Sequence, residues 1–293
     1  MFRSMICAAA FSVASFTSVA VETLDVLVVY DNNTISNVSE LNSEQERDYY
    51  ADKLIRNLNK TFSNSGLSSQ INFRLEHQLK TGFTNAVSGK TENLEQIKSR
   101  YFNYAANNSN TGDASGWLYT LQNAYKADVV IGVFQQGTDV NKFCGMATSI
   151  PSESHKAGDT ANQVQEFAGY GLFFISTESG CLNRDRLVSH EFGHTAGLFH
   201  EPTSSANSEM LHDGAAGYRS IWSSVSSVMI QKNNQLYYQE NRFSDSTKSE
   251  CGAGDNYVCG NTSSNAVATL KQFASQYNKR GNWYYNNWFS FKI

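Results

Sequence analysis

The sequence predicts one α/β (α+β) domain, a mixed, mostly parallel twisted sheet with helices packed on it. Three observations lead there. The apolar runs DVLVVY (25–30) and ADVVIGVF (127–134) read as buried strands. Stretches of helical periodicity lie between such runs, so strands and helices alternate. At 293 residues, the chain is long enough to bury about three quarters of its unfolded surface. Charged residues make up only 17%, against a usual ~25%, so Asn, Ser, Gln and Thr must cover much of the surface. The net charge of −4 carries no long run of one sign, which argues against nucleic acid as a partner.

Residues 1–20 read as a secretory signal. Arg3 supplies the positive start, Met5 to Phe16 a short apolar run, and Ser18-Val19-Ala20 a small-x-small cleavage site. The expected location is therefore secreted, either extracellular or periplasmic. No later stretch approaches the roughly 18 apolar residues of a membrane span, so no membrane insertion is expected. The main domain is assigned to 21–280. Residues 281–293, an aromatic tail from Asn282 to Ile293, are expected to pack on it, with an exposed binding patch as the other reading.

Glu22 to Tyr30 is β-branched and follows the cleavage site directly, so a core strand opens the domain. Glu44 to Asn64 repeats Tyr50, Leu54, Leu58 and Phe62 on one helical face, with Ser43 as N-cap and Gly66 as stop. In Gln70 to Leu79 the residues Ile71, Phe73, Leu75 and His77 alternate, which predicts a half-exposed strand with His77 on its apolar side as a structural histidine. Short helices are expected over Leu94 to Tyr104 and Gly116 to Tyr125, and a strand buried on both faces over Ala127 to Phe134. Cys144 to Ile150 reads as a short edge strand and Gly171 to Thr177 as the last clear strand. Asn183 or Asp185 is the expected cap of the helix that follows. Pro202 to Gly217 reads as a loop, whose Glu209, His212 and Asp213 are expected to form a solvated acidic cluster, with a second metal site as the other reading. Ser226 to Ile230 is expected to be a short apolar turn, and Asn265 to Tyr277 the last helix.

Cys7 leaves with the signal. Four cysteines remain, and in an oxidising compartment they allow three connectivities. Cys251 and Cys259 enclose a short Gly-rich loop and are natural partners, which leaves Cys144 with Cys181. A zinc site held by cysteines is the competing reading, but no CxxC or Cys/His cluster supports it.

The chemistry concentrates in HEFGHTAGLFH, from His190 to His200. His190 and His194 stand at i and i+4, so both imidazoles leave one helix face, where they can hold one zinc at about 2.0–2.1 Å each. Glu191 is suited to take a proton from a water activated by the metal. Gly197 can adopt the positive φ that ends the helix, and the turn brings round His200 as third ligand. A fourth position is then left for water, as in catalytic zinc sites.

This stretch resembles the zinc signature of the metzincin metallopeptidases at His190, Glu191, His194, Gly197 and His200. Met229, 29 residues beyond His200, is similar to the methionine of the turn beneath the zinc in that clan. Within the clan, DVLVVY, NKTFSNSGLSSQINF, ADVVIGVF, CGMA and GLFFISTESGC resemble the layout of bacterial reprolysin-like (adamalysin-related) peptidases, from about residue 23 to 277. The resemblance implies a metzincin-type catalytic domain with a Met-turn and a C-terminal helix. It also implies a secreted zinc-dependent endopeptidase that takes protein or peptide substrates and binds one zinc ion. Calcium finds no supporting feature, and a monomer is expected. Glu201 stands where most reprolysins have Asp and astacins have Glu. Gln231 occupies the position of the tyrosine fifth ligand of astacins and serralysins, so that ligand is not expected. With a core strand directly after the signal and Cys7 removed, export without a zymogen inhibitor is expected.

The reading from another class is a secreted zinc-fold binding or toxin-like protein acting through surface recognition by its aromatic tail. The intact Glu191 weighs against it, since a binding scaffold needs no base. The five Asn-x-Ser/Thr sites, at Asn32, Asn37, Asn59, Asn107 and Asn261, are incidental in so Asn- and Ser-rich a chain.

Overall fold

The structure is a computed structural model. It describes residues 21–80, 86–87, 90–91, 124–135, 144–147, 171–177, 180–196, 198, 228–232, 236–248, 265–271 and 273–274. The signal, the expected helices at 94–104 and 116–125 apart from its last two residues, the loop 202–217 and the aromatic tail lie outside these. So do Gly197, His200, Cys251 and Cys259.

Among the described residues five strands form one sheet, in the order β2-β1-β5-β7-β6. These are β1 (Glu22–Tyr30), β2 (Ile71–Lys80), β5 (Val129–Phe134), β6 (Gly145–Ala147) and β7 (Gly171–Ser176). Two small antiparallel pairs stand apart: β3 (Ala86–Val87) with β4 (Lys90–Thr91), and β8 (Val228–Lys232) with β9 (Leu236–Glu240). In the main sheet β2, β1, β5 and β7 run parallel, and the edge strand β6 is antiparallel to β7. The expected mixed, mostly parallel sheet is therefore present. All six residues of β5 are buried, because neighbours flank it on both sides and other elements cover its faces.

Helix α1 (Asn32–Asn37) follows β1, and α2 (Glu44–Asn64) is the long crossover to β2. Helix α2 starts at Ser43 with a capping box. The Ser43 hydroxyl accepts from Glu46 N at 3.2 Å, and Ser43 N donates back to the Glu46 carboxylate at 3.0 Å. It ends at Gly66, φ +70°, where Leu67 N donates to Phe62 O (2.8 Å) and Gly66 N to Ser63 O (3.0 Å). That is a Schellman stop, which needs a residue tolerant of positive φ. Tyr50, Leu54, Leu58 and Phe62 all face the core. Asn59 ties the helix to β2 through its amide, donating to Phe73 O and accepting from Phe73 N, both at 2.8 Å.

The register of β2 corrects one expectation. Val26 pairs with Leu75, but Leu27 pairs with His77, so Glu76 is an extra residue bulged from the strand. The bulge shifts the phase of alternation. Ile71 and Phe73 are buried as expected, while His77 turns to solvent and stacks on Tyr125, ring centroids 5.0 Å apart.

Helix α3 (Leu187–Thr195) packs on β6, β7 and α2. It has no side-chain cap: its N-cap is Arg186, in helical conformation. Neither Asn183 nor Asp185 serves, because the chain enters through consecutive turns whose carbonyls meet the first amides. Leu187 N donates to Arg184 O (3.0 Å) and His190 N to Arg186 O (2.9 Å). Asp185 instead pairs with Lys53 of α2 at 3.4 Å. The last helix (266–271 and 273–274) is capped by Asn265, whose side-chain oxygen accepts from Ala268 N at 3.1 Å. Its Val267, Leu270, Phe273 and Ala274 are buried in the same core.

Candidate functional site

Phe192 lies in the middle of α3 and is fully buried. Its ring meets Phe73 of β2 (4.8 Å), Phe62 of α2 (5.7 Å) and Phe273 of the last helix (6.0 Å), each edge to face. Beside it the Ser189 hydroxyl donates to Thr61 Oγ1 of α2 at 2.7 Å, a buried link between the two helices. The apolar side of α3 is thus anchored to three other elements. Its opposite side carries His190 and His194, both partly exposed.

Rings four residues apart on a helix face each other, and here they converge. The Nε2 atoms of His190 and His194 are 3.0 Å apart, with the ring planes at 85°. Two nitrogens bound to one tetrahedral ion stand about 3.3 Å apart at zinc–nitrogen distances near 2.05 Å. The pair is therefore within a few tenths of an ångström of a shared ligand position. His194 Nδ1 lies 2.8 Å from the Leu198 carbonyl oxygen. A carbonyl only accepts, so Nδ1 is the donor in this contact, and Nε2 is the nitrogen turned towards His190. Metal-binding histidines are oriented by outer contacts of this kind. The donor set fits a divalent, imidazole-preferring ion such as zinc. Among the described residues no group of three His, Cys, Asp or Glu side chains comes together; His200, the expected third ligand, lies outside them.

Glu191 is 4% exposed, on the side of α3 that faces β6. It lies against Gly145, where the strand has no side chain to keep the carboxylate away. The strand itself is fastened at this point. Cys144 forms a disulfide with Cys181, Cα atoms 5.1 Å apart, as the elimination among the cysteines predicts. Ser176 N of β7 also donates to Cys144 O at 2.8 Å.

Met229 differs from expectation. It lies in β8, paired with Gln239 of β9, rather than in a turn. The runs VMIQK (228–232) and LYYQE (236–240) are separated in the sequence only by Asn233, Asn234 and Gln235, a hairpin signal. Three contributors have no motif of their own. Gly145 and the Leu198 carbonyl act through backbone, which residue identity does not advertise. Phe192 is one apolar residue among many until its ring partners are known.

No family model matches this sequence, and no curated relative matches it. A solved chain in a structure described as "Structure of a chaperone-substrate complex" is similar in fold, with a TM-score of 0.50 and 16% identity. The alignment covers 88% of this chain and 39% of that chain, so the present protein spans well under half of its length. At this identity the likeness speaks for the fold alone. Among the described residues no helix is long and apolar enough to cross a membrane.

Proposed function

We propose that this chain is a secreted, metzincin-type zinc endopeptidase, similar to the reprolysin-like (adamalysin-related) group, that hydrolyses peptide bonds of protein substrates. The observation that carries the reading is the convergence of His190 and His194 Nε2 at 3.0 Å on the helix that also presents Glu191. The antiparallel edge strand beside that helix also favours it, since an extended peptide can pair with a strand edge.

His190 and His194 would hold the ion, joined by His200 as the resemblance implies, with Gly197 at the turn between. Zinc, when bound, supplies a Lewis acid that polarises the scissile carbonyl and makes the attacking water more acidic. Glu191 takes the proton of that water as general base and passes it to the leaving amine, so its proton balance closes over the cycle. The Leu198 carbonyl keeps the His194 ring in one orientation and tautomer throughout. Phe192 keeps the helix from shifting beneath them. Met229 has a packing role and no ligand role in this reading.

The test is cleavage of a broad protein substrate such as casein, with chelator and then with zinc restored. Activity should vanish and return. Glu191→Gln should keep one zinc per chain and lose cleavage by roughly 10²–10⁴-fold. Wild-type cleavage by that variant would overturn the assignment of the base. Absence of hydrolysis under all three metal conditions would overturn the enzyme reading.

A further inference from the structure

We infer that Gly145 is a positioning residue for Glu191: the bare backbone of the edge strand is the seat against which the carboxylate rests. This rests on the reading of Glu191 as general base. A Cβ built on Gly145 would lie 2.6 Å from both Cγ and Cδ of Glu191, and closer still to Oε1. Real Cβ atoms do not approach so near, so any side chain at 145 must push the carboxylate or the strand aside.

Neither is free to move. Glu191 is nearly buried, and its helix is held by Phe192 and Ser189. On the other side, Gly145 pairs with Ile175 of β7, and its neighbour Cys144 is bonded to Cys181 just ahead of α3. The disulfide therefore links the strand that seats the carboxylate to the segment leading into the helix that bears it. Unlike Gly66, Gly145 is not among the glycines of positive φ, so a turn does not explain it. The close approach to Glu191 does.

A double-mutant cycle on the metal-free protein tests the contact without any need for activity. Gly145→Ala should lower Tm by roughly 3–10 °C while Glu191 is present, the scale of overpacking in a domain of this size. In a Glu191→Ala background, where the obstructing atoms are gone, the same change should shift Tm by less than about 2 °C. Equal shifts in the two backgrounds, or none in either, would overturn the inference. For the zinc-loaded enzyme, Gly145→Ala should lower kcat at least about tenfold, leaving KM and the zinc stoichiometry unchanged, because misplacement of a base is felt in the chemical step. A coupled Tm cycle with wild-type kcat would overturn the positioning role. Failure of the base assignment would show separately, as full cleavage by Glu191→Gln, and failure of the enzyme reading as absence of hydrolysis under every metal condition.

Discussion

Phe192 and Phe73 meet edge to face with ring centroids 4.8 Å apart, which fastens the histidine-bearing helix to the strand at the far edge of the sheet. The site is therefore built on the core, and damage to the core should reach it. Phe192→Ala should destabilise the protein by about 3–5 kcal/mol, the usual cost of deleting a buried aromatic ring. Urea unfolding would measure it. Zinc affinity should fall with it, because the anchored ring sits between the two histidines in sequence. Stability loss below about 1 kcal/mol would show that the aromatic cluster does not hold the helix.

The Cys144–Cys181 bond closes a loop of sequence separation 37. On the chain-entropy model, a loop of that length contributes roughly 3–4 kcal/mol by restricting the unfolded chain. Paired Cys144→Ser and Cys181→Ser substitutions should lower stability by about that much. Denaturant titration of the two proteins, both under non-reducing conditions, gives the difference.

Asp31 is fully buried at the end of β1. Its Oδ1 accepts from Thr34 N at 2.6 Å, while Oδ2 is buried with no hydrogen-bond partner among the described residues. Burial raises its pKa from 3.8 to about 6, against the lowering pull of the Thr34 hydrogen bonds. The folded state thus holds the proton more tightly than the unfolded chain does. Stability from this group is fully present below pH ~4 and is lost as pH rises through about 6. The full effect is about 3 kcal/mol. The substitution Asp31→Asn keeps an oxygen for the Thr34 amide and removes the charge. The difference in stability between variant and parent should therefore move in the variant's favour by about that amount from roughly pH 4 to pH 7. Metal-free protein must be compared, so that zinc release does not contribute. A pH-independent difference would refute the buried charge.

Ser43 accepts from Glu46 N at 3.2 Å in the capping box of α2. Ser43→Ala should cost about 1 kcal/mol. The site lies at the opposite end of α2 from Phe62 and Thr61, which contact α3. Thermal unfolding should register the loss, and zinc stoichiometry should not change.

Much of this protein is decided locally and is legible in the amino-acid order alone. Strand β1 and helix α2 begin and end where the apolar pattern, Ser43 and Gly66 say they should, because capping and periodicity act within a few residues. The histidine pair is legible for the same reason: i, i+4 spacing becomes a shared face on any helix. Pairing Cys144 with Cys181 follows by elimination once the closeness in sequence of Cys251 and Cys259 makes them partners. Contacts between distant segments set the rest. The bulge at Glu76 reverses the face of His77, since register is a property of two strands together. Turns before α3 replace the expected Asn183 or Asp185 cap and send Asp185 to Lys53 on α2. The seat of Glu191 on Gly145 sets a side chain against bare backbone 46 positions away in the sequence. A glycine's missing side chain has meaning only once the atom that fills its place is known.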